Sequence, residues 1–234
     1  MWIGTASLKQ LHSRSCWKVE FFCETTHDPS SAAFPFVKLE TLVAERKEML
    51  DPQARPNELL NYIGLENVES ITGNLIDFKP RYGKEIRSRS KVFYAGDILY
   101  GRLRPYLNKV FLPEEPLANG ICSGEFYVLV PNRKKVLPHF LRALLTSSYV
   151  QQFAARWQTG SALPRLQLHD LLSIEVPLPP IEAQGAFENF LMAQTLYQRR
   201  LAAELTNLPQ RILSTLTMAL ETGDEALLSQ SNSL

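Results

Sequence analysis

The sequence predicts an α+β fold: a mixed globular domain with a twisted β-sheet and packed helices, followed by a long C-terminal helix of coiled-coil type. Short runs of β-forming residues recur in the first half of the chain, and the clearest is EFYVLVP at 125–131. An amphipathic helical pattern follows at 138–157. After residue 180, apolar residues advance mostly by three or four, which is typical of a long helix or a coiled-coil seam. We therefore predict a domain over residues 1–180, a helix over 181–222 and a polar tail over 223–234.

The first half of the predicted domain consists of short strands joined by turns. Residues 17–22 are predicted as a short strand or extended segment, and residues 58–77 as a strand, an irregular crossing and a hairpin. The hairpin turn is placed at 72–74, where Gly and Asn favour a change of direction. The Gly-Asp pair at 96–97 predicts a turn before the apolar strand 98–100, because Gly tolerates a positive φ and Asp can bond its own backbone.

The second half of the domain contains the predicted helices. Pro138 is suited to a first helical position and opens a single predicted helix that ends at Trp157. A short helical turn at 168–172 and a strand at 173–176 lead into the long helix. Pro209 lies inside that helix and is expected to kink it or to divide it in two, since proline cannot donate a backbone hydrogen bond.

Composition places the chain among ordinary globular proteins. It has 234 residues, of which 45% are hydrophobic and 21% charged, with a formal net charge of +1. This balance argues against nucleic-acid binding by the whole surface but is compatible with one basic face. The three cysteines form no C-x-x-C pair, which favours a reduced, cytoplasmic setting. No stretch approaches the roughly 18 apolar residues of a membrane span, so none is expected.

Positive charge is concentrated between residues 79 and 109. This segment holds nine Lys and Arg residues against two acids, a local net charge of +7, with aromatic residues interleaved. A glycine and a proline bracket Arg102 and Arg104, which places both guanidinium groups on a loop rather than in a central strand. Basic and aromatic side chains on strands and loops suit a surface that meets phosphates and base edges. The same pattern is also typical of a solvated charged face, and the residues alone leave both interpretations open.

The sequence contains no recognisable catalytic constellation. No G-x-G-x-x-G or Walker sequence is present, and Ser123-Gly124 lacks the G-x-S-x-G frame of a nucleophile elbow. The four histidines are scattered without metal-ligand spacing. The PLPP run at 177–180 lacks the acid or amide of a methyltransferase catalytic loop and is interpreted as an extended connector. The sequence therefore predicts neither an enzyme nor a metal site.

The order of several short motifs resembles that of the specificity (S) subunits of type I restriction-modification systems. The matching pieces are YIGLENV at 62–68, GDIL at 96–99, the hydrophobic helix that ends before Gly160, LPRLQLHDLLSIEVPLPPIEAQ at 163–184 and ALETGDE at 219–225. The chain is similar to one target-recognition domain followed by one spacer helix, whereas such subunits usually carry two of each. The resemblance therefore implies a half-size specificity subunit or an isolated half.

The resemblance also implies a function and a set of partners. It implies a non-catalytic DNA-specificity subunit that recognises one half of a bipartite target in double-stranded DNA. Methyltransferase (M) subunits are expected to dock on the chain, and the restriction (R) subunit is a further candidate partner. No cofactor is expected on this chain, because S-adenosylmethionine would be bound by the methyltransferase. The spacer helix is expected to pair with a second copy, and such a two-fold dimer predicts an inverted-repeat target.

The expected site residues fall into a DNA-contacting set and an interface set. The DNA-contacting set comprises Lys79, Arg81, Tyr82, Lys84, Arg87, Arg89, Tyr100, Arg102, Arg104, Tyr106, Lys109, Gly160, Ser161 and Arg165. Within it, Arg102 and Arg104 are predicted to reach base edges, because one arginine can donate two hydrogen bonds to the O6 and N7 atoms of guanine. The dimer and subunit interface comprises Phe187, Leu191, Leu201, Leu205, Leu208, Ile212 and Leu216.

The alternative function is a protein-interaction or scaffold module that works through the helix at 181–220. In that interpretation the basic loops are only a solvated face. The purified chain would then show no salt-dependent affinity for DNA, even with its partners.

Overall fold

A computed structural model describes residues 33–157, 159 and 162–224 of the chain. The strand predicted at 17–22 and most of the predicted tail lie outside these residues, as do Gly160 and Ser161. The chain divides into two compact units between Glu188 and Asn189. Among the residues described, no helix combines the length and the apolarity needed to cross a lipid bilayer.

The first unit is a mixed α+β domain, as the sequence predicts. Its strands are β1 (Phe36–Lys38), β2 (Val43–Glu45), β3 (Met49–Leu50), β4 (Leu59–Leu60), β5 (Tyr62–Ile63), β6 (Arg81–Tyr82), β7 (Ser90–Tyr94), β8 (Ile98–Gly101), β9 (Val110–Phe111), β10 (Asn119–Cys122), β11 (Phe126–Pro131) and β12 (Glu175–Pro177). Its helices are α1 (Pro138–Thr146), α2 (Ser148–Trp157) and α3 (Leu168–Leu172), and α4 (Ile181–Thr222) begins in this unit.

Two four-stranded sheets organise the described part of this domain. Their strand orders are β2-β11-β8-β9 and β3-β7-β10-β5, and the remaining strands form the pairs β1-β12 and β4-β6. β10 and β5 run parallel, whereas β8 pairs antiparallel with both β11 and β9. Since β-rich segments far apart in sequence meet in each sheet, the domain depends on long-range pairing rather than on hairpins alone.

Strand β8 lies at the centre of the core because both of its faces are covered. Side chains alternate between the two faces of a strand. Ile98 and Tyr100 belong to the larger hydrophobic cluster, which includes residues of α1 and α2. Leu99 belongs to a second cluster that includes Phe93 of β7 and Cys122 of β10. The two clusters therefore fix β8, and the loop that follows it, between the helices and the second sheet.

The predicted Gly-Asp turn before β8 is confirmed. Gly96 adopts a φ of +83°, which favours glycine. The Asp97 carboxylate accepts a hydrogen bond from the Tyr94 backbone N–H at 2.9 Å and two from the Arg46 guanidinium at 2.8 and 3.0 Å. Because the Asp97 side chain is almost fully buried, this ion pair anchors the turn to the end of β2.

The helical region from Pro138 to Trp157 differs from the prediction of a single helix. Two helices, α1 and α2, are separated at Ser147, whose backbone is extended with φ −67° and ψ 161°. The Ser147 hydroxyl donates to the carbonyl of Leu144 at 2.6 Å. Serine side chains compete with helical backbone bonding in this way, and the interruption lets each helix turn its own apolar stripe into the larger cluster.

The long helix α4 runs from Ile181 to Thr222 with Pro209 inside it, so the proline does not divide it in two. Gln184, in its first turns, is fully buried. Its side-chain oxygen accepts from the Leu137 backbone N–H, and its amide nitrogen donates to the carbonyls of Lys135 and Pro179, each at 2.9 Å. These bonds join the start of α4 to the start of α1.

Candidate nucleic-acid interface

The first basic surface is the β6 segment, which we define as residues 79–89. β6 pairs with β4, and a tight 3-10 turn, Gly83–Glu85, follows it. A side chain at Gly83 would meet the carbonyls of Arg55 and Pro52 at 2.2 and 2.4 Å, so only glycine permits this close approach. The small cluster that contains Leu60 and Ile86 lies beneath the turn. The fold thus presents the basic side chains of this segment from a fixed backbone.

The cations of the β6 segment differ in their partners. Arg81 forms an ion pair with Glu66 at 3.1 Å and lies over the Tyr62 ring at 5.2 Å. Lys84 lies over the exposed Tyr82 ring at 5.4 Å. Three further cations are exposed and have no carboxylate within 4 Å in the part of the chain that the structure describes. They are Lys79, Arg87 and Arg89.

The second basic surface is the Arg104 loop, which we define as residues 102–108. Arg104 has a left-handed backbone with φ 49° and ψ 61°, which is uncommon for a residue other than glycine. Its backbone N–H donates to the Pro164 carbonyl at 2.7 Å, and Pro105 opens a 3-10 turn directly after it. Arg104 is exposed, as is Tyr106, whose exposed fraction is 55%. The loop therefore projects one arginine and one tyrosine into solvent.

The Arg104 loop lies beside the segment that contains Arg165. Leu103 and Arg165 form an antiparallel bridge, and the Leu166 backbone N–H donates to the Arg102 carbonyl at 3.0 Å. Arg165 also bridges Thr159. Two loops that the sequence suggested separately are thus brought side by side, although Gly160 and Ser161 lie outside the residues described.

One carboxylate lies between the arginines of these two loops. Arg165 donates to Glu125 from Nη2 at 2.8 Å and from Nε at 3.1 Å, and the Nε atom of Arg102 lies 3.8 Å from the same carboxylate. The Arg102 guanidinium is also 5.3 Å from the centre of the Tyr127 ring. The hydrogen bond from Arg165 lowers the pKa of Glu125 below its ordinary value, although partial burial opposes the shift. We call Glu125, Arg102, Arg165 and Tyr127 the Glu125 cluster.

Two further cations of the basic segment, Lys91 and Lys109, are held by partners within the domain. Lys91 of β7 lies over the Tyr127 ring at 5.1 Å and forms an ion pair with Glu45 at 2.9 Å. Lys109 donates to the Leu65 carbonyl at 2.8 Å, one residue before the Glu66 carboxylate that holds Arg81. Several cations of the basic segment are therefore tied down, and the charge available to a ligand is smaller than the local +7 indicates.

Tyr100 is the expected DNA-contacting residue whose position contradicts a surface role. Its exposed fraction is 1%, and it belongs to the larger hydrophobic cluster. The sequence carried a signal for this burial, because Ile98-Leu99-Tyr100 is a continuous apolar run, which is typical of a strand covered on both faces. Tyr100 was included only because basic and aromatic residues surround it in the sequence. We therefore remove Tyr100 from the candidate interface.

Glu125 is the residue of this site that the sequence reasoning missed. It directly precedes the buried strand β11 and carries no motif of its own. Its pairing with Arg165, 40 residues away, arises only from the bridge between the two loops. Among the residues described, no group of three or more His, Cys, Asp or Glu side chains is arranged to hold a metal ion.

Comparisons with known proteins agree with the resemblance seen in the motifs. Residues 67–207 match the family model of the type I restriction modification DNA specificity domain. The type I restriction enzyme EcoDI specificity subunit of Escherichia coli is 29% identical over 187 residues, which cover 76% of this chain and 39% of that relative.

Solved structures show the same likeness. The HsdS subunit from Thermoanaerobacter tengcongensis is 28% identical with a TM-score of 0.62, over 80% of this chain and 48% of that one. A chain from a structure of the type I R-M system, described as addressing complex assembly and conformational transition, gives a TM-score of 0.61 at 28% identity over the same shares. The chain spans about half or less of the length of these relatives. The family match and the shared mixed fold lead to one conclusion: this chain belongs to the family of type I restriction modification DNA specificity domains.

Proposed function

We propose that this chain is a non-catalytic DNA-specificity component of a type I restriction-modification system and recognises one half of a bipartite target. The observation that supports this most directly is the convergence of the Arg104 loop and the Arg165 segment, which places exposed and partly exposed arginines on one surface. Arginines on loops anchored by buried strands suit base-edge contacts, and the exposed lysines and arginines of the β6 segment suit phosphate contacts.

The proposal assigns the partners by family membership and by the character of the long helix. Methyltransferase subunits, with the restriction subunit as a further partner, dock on this chain in the cytoplasm, and S-adenosylmethionine is bound by the methyltransferase rather than here. A second copy pairs through α4, whose predicted interface residues Leu205, Ile212 and Leu216 are exposed. Two-fold pairing of identical chains implies a target of two inverted half-sites, because the symmetry of the protein is reflected in its site.

A second candidate function is a protein-interaction module that works through α4 without reading DNA. The exposed apolar side chains between residues 187 and 220 favour it. The two functions differ in one measurable respect, which is salt-dependent affinity for DNA.

Fluorescence anisotropy with random-sequence duplex DNA, measured across a salt series, tests the proposal. The protein is measured alone and with the methyltransferase subunit encoded beside it. We expect the chain to bind DNA. The logarithm of the association constant should fall linearly with the logarithm of the salt concentration, with a slope of about −0.9 for each phosphate neutralised. Binding absent in both formats would refute DNA recognition and support the interaction module instead.

A further inference from the structure

The Glu125 cluster engages Arg165 almost completely. Nε and Nη2 of Arg165 donate to the Glu125 carboxylate, and Nη1 donates to the Leu163 carbonyl at 3.4 Å. Each of the three guanidinium nitrogens therefore already has an acceptor. Glu125 thus occupies the Nε/Nη2 edge of Arg165, and a phosphate that binds this edge in bidentate fashion would have to replace the carboxylate.

Arg102 is held in the same cluster but less completely. Its Nε atom is buried and has no hydrogen-bond acceptor within the described residues, although the Glu125 carboxylate is 3.8 Å away. The ring of Tyr127 lies against the guanidinium on another side. Arg102 thus retains donor capacity while its charge is compensated by Glu125.

Charge compensation of this kind has a consequence for binding to DNA of any sequence. A glutamate is ionised at neutral pH, and the hydrogen bond from Arg165 holds the pKa of Glu125 further below its ordinary value. Its negative charge is shared by two arginines, so the three residues carry a net charge of +1 instead of +2. A phosphate that binds the Nε and Nη2 donors of Arg165 must displace the Glu125 carboxylate, and a phosphate near either arginine is repelled by the charge of that carboxylate.

We propose that Glu125 restrains Arg102 and Arg165 in the DNA-free protein and thereby suppresses sequence-independent binding at this surface. DNA engages the site by exchanging its own acceptors for the Glu125 carboxylate. Glu125 is thus a positioning residue that favours specificity, because the exchange is favourable only where DNA offers well-placed acceptors to both arginines. This inference rests on the proposed function, since it concerns how the same surface treats DNA.

The test compares Glu125→Gln with the wild-type chain in the anisotropy salt series on random-sequence duplex DNA. Glutamine keeps the shape of the side chain and removes its charge. We expect Glu125→Gln to bind random DNA at least about five-fold more tightly at low salt. We also expect its salt slope to be steeper by about 1 to 2, because each additional phosphate neutralised contributes roughly 0.9.

Glu40→Gln is the matched control. Glu40 forms an exposed ion pair with Lys38 at 3.6 Å, outside the basic segment. Glu40→Gln removes one negative charge, as Glu125→Gln does, but at a position away from the arginines. Equal effects of Glu125→Gln and Glu40→Gln would overturn the inference and leave the proposed function intact. Weaker binding by Glu125→Gln would also overturn it, since Glu125 would then hold the arginines in their binding arrangement. Absence of binding by every protein would refute the proposed function and the inference together.

A second variant and a double substitution separate restraint from a structural role. Glu125→Asp keeps the charge on a shorter side chain, so its salt slope should lie between those of the wild-type chain and Glu125→Gln. This variant still tests the inference if circular dichroism shows that Glu125→Gln lowers the folded fraction. Arg165→Gln should reduce the slope more when combined with Glu125→Gln than in the otherwise wild-type chain. Additive effects of the two substitutions on the slope would contradict the proposed restraint.

Discussion

Two arginines separated by one residue, Arg102 and Arg104, lie in different electrostatic environments. Arg102 lies near Glu125 and Tyr127, whereas Arg104 is exposed on a left-handed backbone. Arg104 has no carboxylate within 4 Å in the described ranges. A base-edge contact by Arg104 therefore requires no exchange of protein partners, which makes Arg104 the stronger candidate for direct reading of a base.

We predict that Arg104→Ala reduces discrimination at one base pair of the target by about 1–3 kcal/mol. Competition anisotropy with single-base variants of the selected target would measure it. Lys84→Ala provides the comparison, because Lys84 is an exposed cation of the β6 segment expected to contact phosphate. It should weaken all DNA sequences equally and reduce the salt slope by about 1. If Arg104→Ala also weakened every sequence equally, Arg104 would be a phosphate contact.

At the residue scale, the sequence located the cations but not their partners. Arg81, Lys91 and Arg165 pair with carboxylates 15, 46 and 40 residues away. Such pairs depend on which strands become neighbours, and no periodicity in the sequence encodes them. The burial of Tyr100 is a different case, since the apolar run at 98–100 does indicate a strand covered on both faces.

At the scale of elements, two side chains of α4 hold the junction with α1, and one of them is a buried amide. Gln184 satisfies the backbone N–H of Leu137 and the carbonyls of Lys135 and Pro179. The Glu188 carboxylate, one turn further along α4, accepts from the backbone N–H of His139 at 2.9 Å. Two side chains of α4 thus supply hydrogen-bond acceptors at the N-terminal end of α1, where helix geometry leaves donors without partners.

We predict that Gln184→Leu destabilises the domain by about 2–4 kcal/mol, because it leaves buried backbone groups without partners while preserving side-chain size. Urea denaturation followed by circular dichroism would measure the loss. Glu182→Gln, at an exposed position in the same turn, should change stability by no more than roughly 0.5 kcal/mol. Equal stability of Gln184→Leu and the wild-type chain would show that water or relaxation replaces these bonds.

Elements governed by local chemistry were predicted more closely than those governed by packing. The turn at Gly96, the short helix α3 and the whole extent of α4 agree with the sequence prediction. The interruption at Ser147 was missed because Ser and Tyr are tolerated within helices, and only the shape of the core favours a break there. The order of strands in the two sheets could not be predicted, since the strands are short and many pairings satisfy their patterns.

At the scale of the whole molecule, α4 is the feature that the single chain leaves without an explanation. Twelve of the described large apolar side chains from residue 190 to residue 220 are exposed, among them Leu205 at 69% and Ile212 at 55%. A solvated helix does not need such a stripe for its own stability, and exposed apolar patches of this size mark interaction surfaces. The pairing with a second copy proposed above would cover this stripe.

Leu205→Asp tests this pairing most directly. In a two-fold dimer the substitution affects two side chains, and burial of each leucine is worth about 1.5–3 kcal/mol. The dissociation constant measured by sedimentation equilibrium should therefore rise by about 100-fold or more. Asn207→Asp adds the same charge at an exposed position away from the predicted stripe and should leave the constant nearly unchanged. A wild-type chain that remains monomeric at every concentration would refute self-pairing. The stripe would then be assigned to a different protein, and the target would not need to be an inverted repeat.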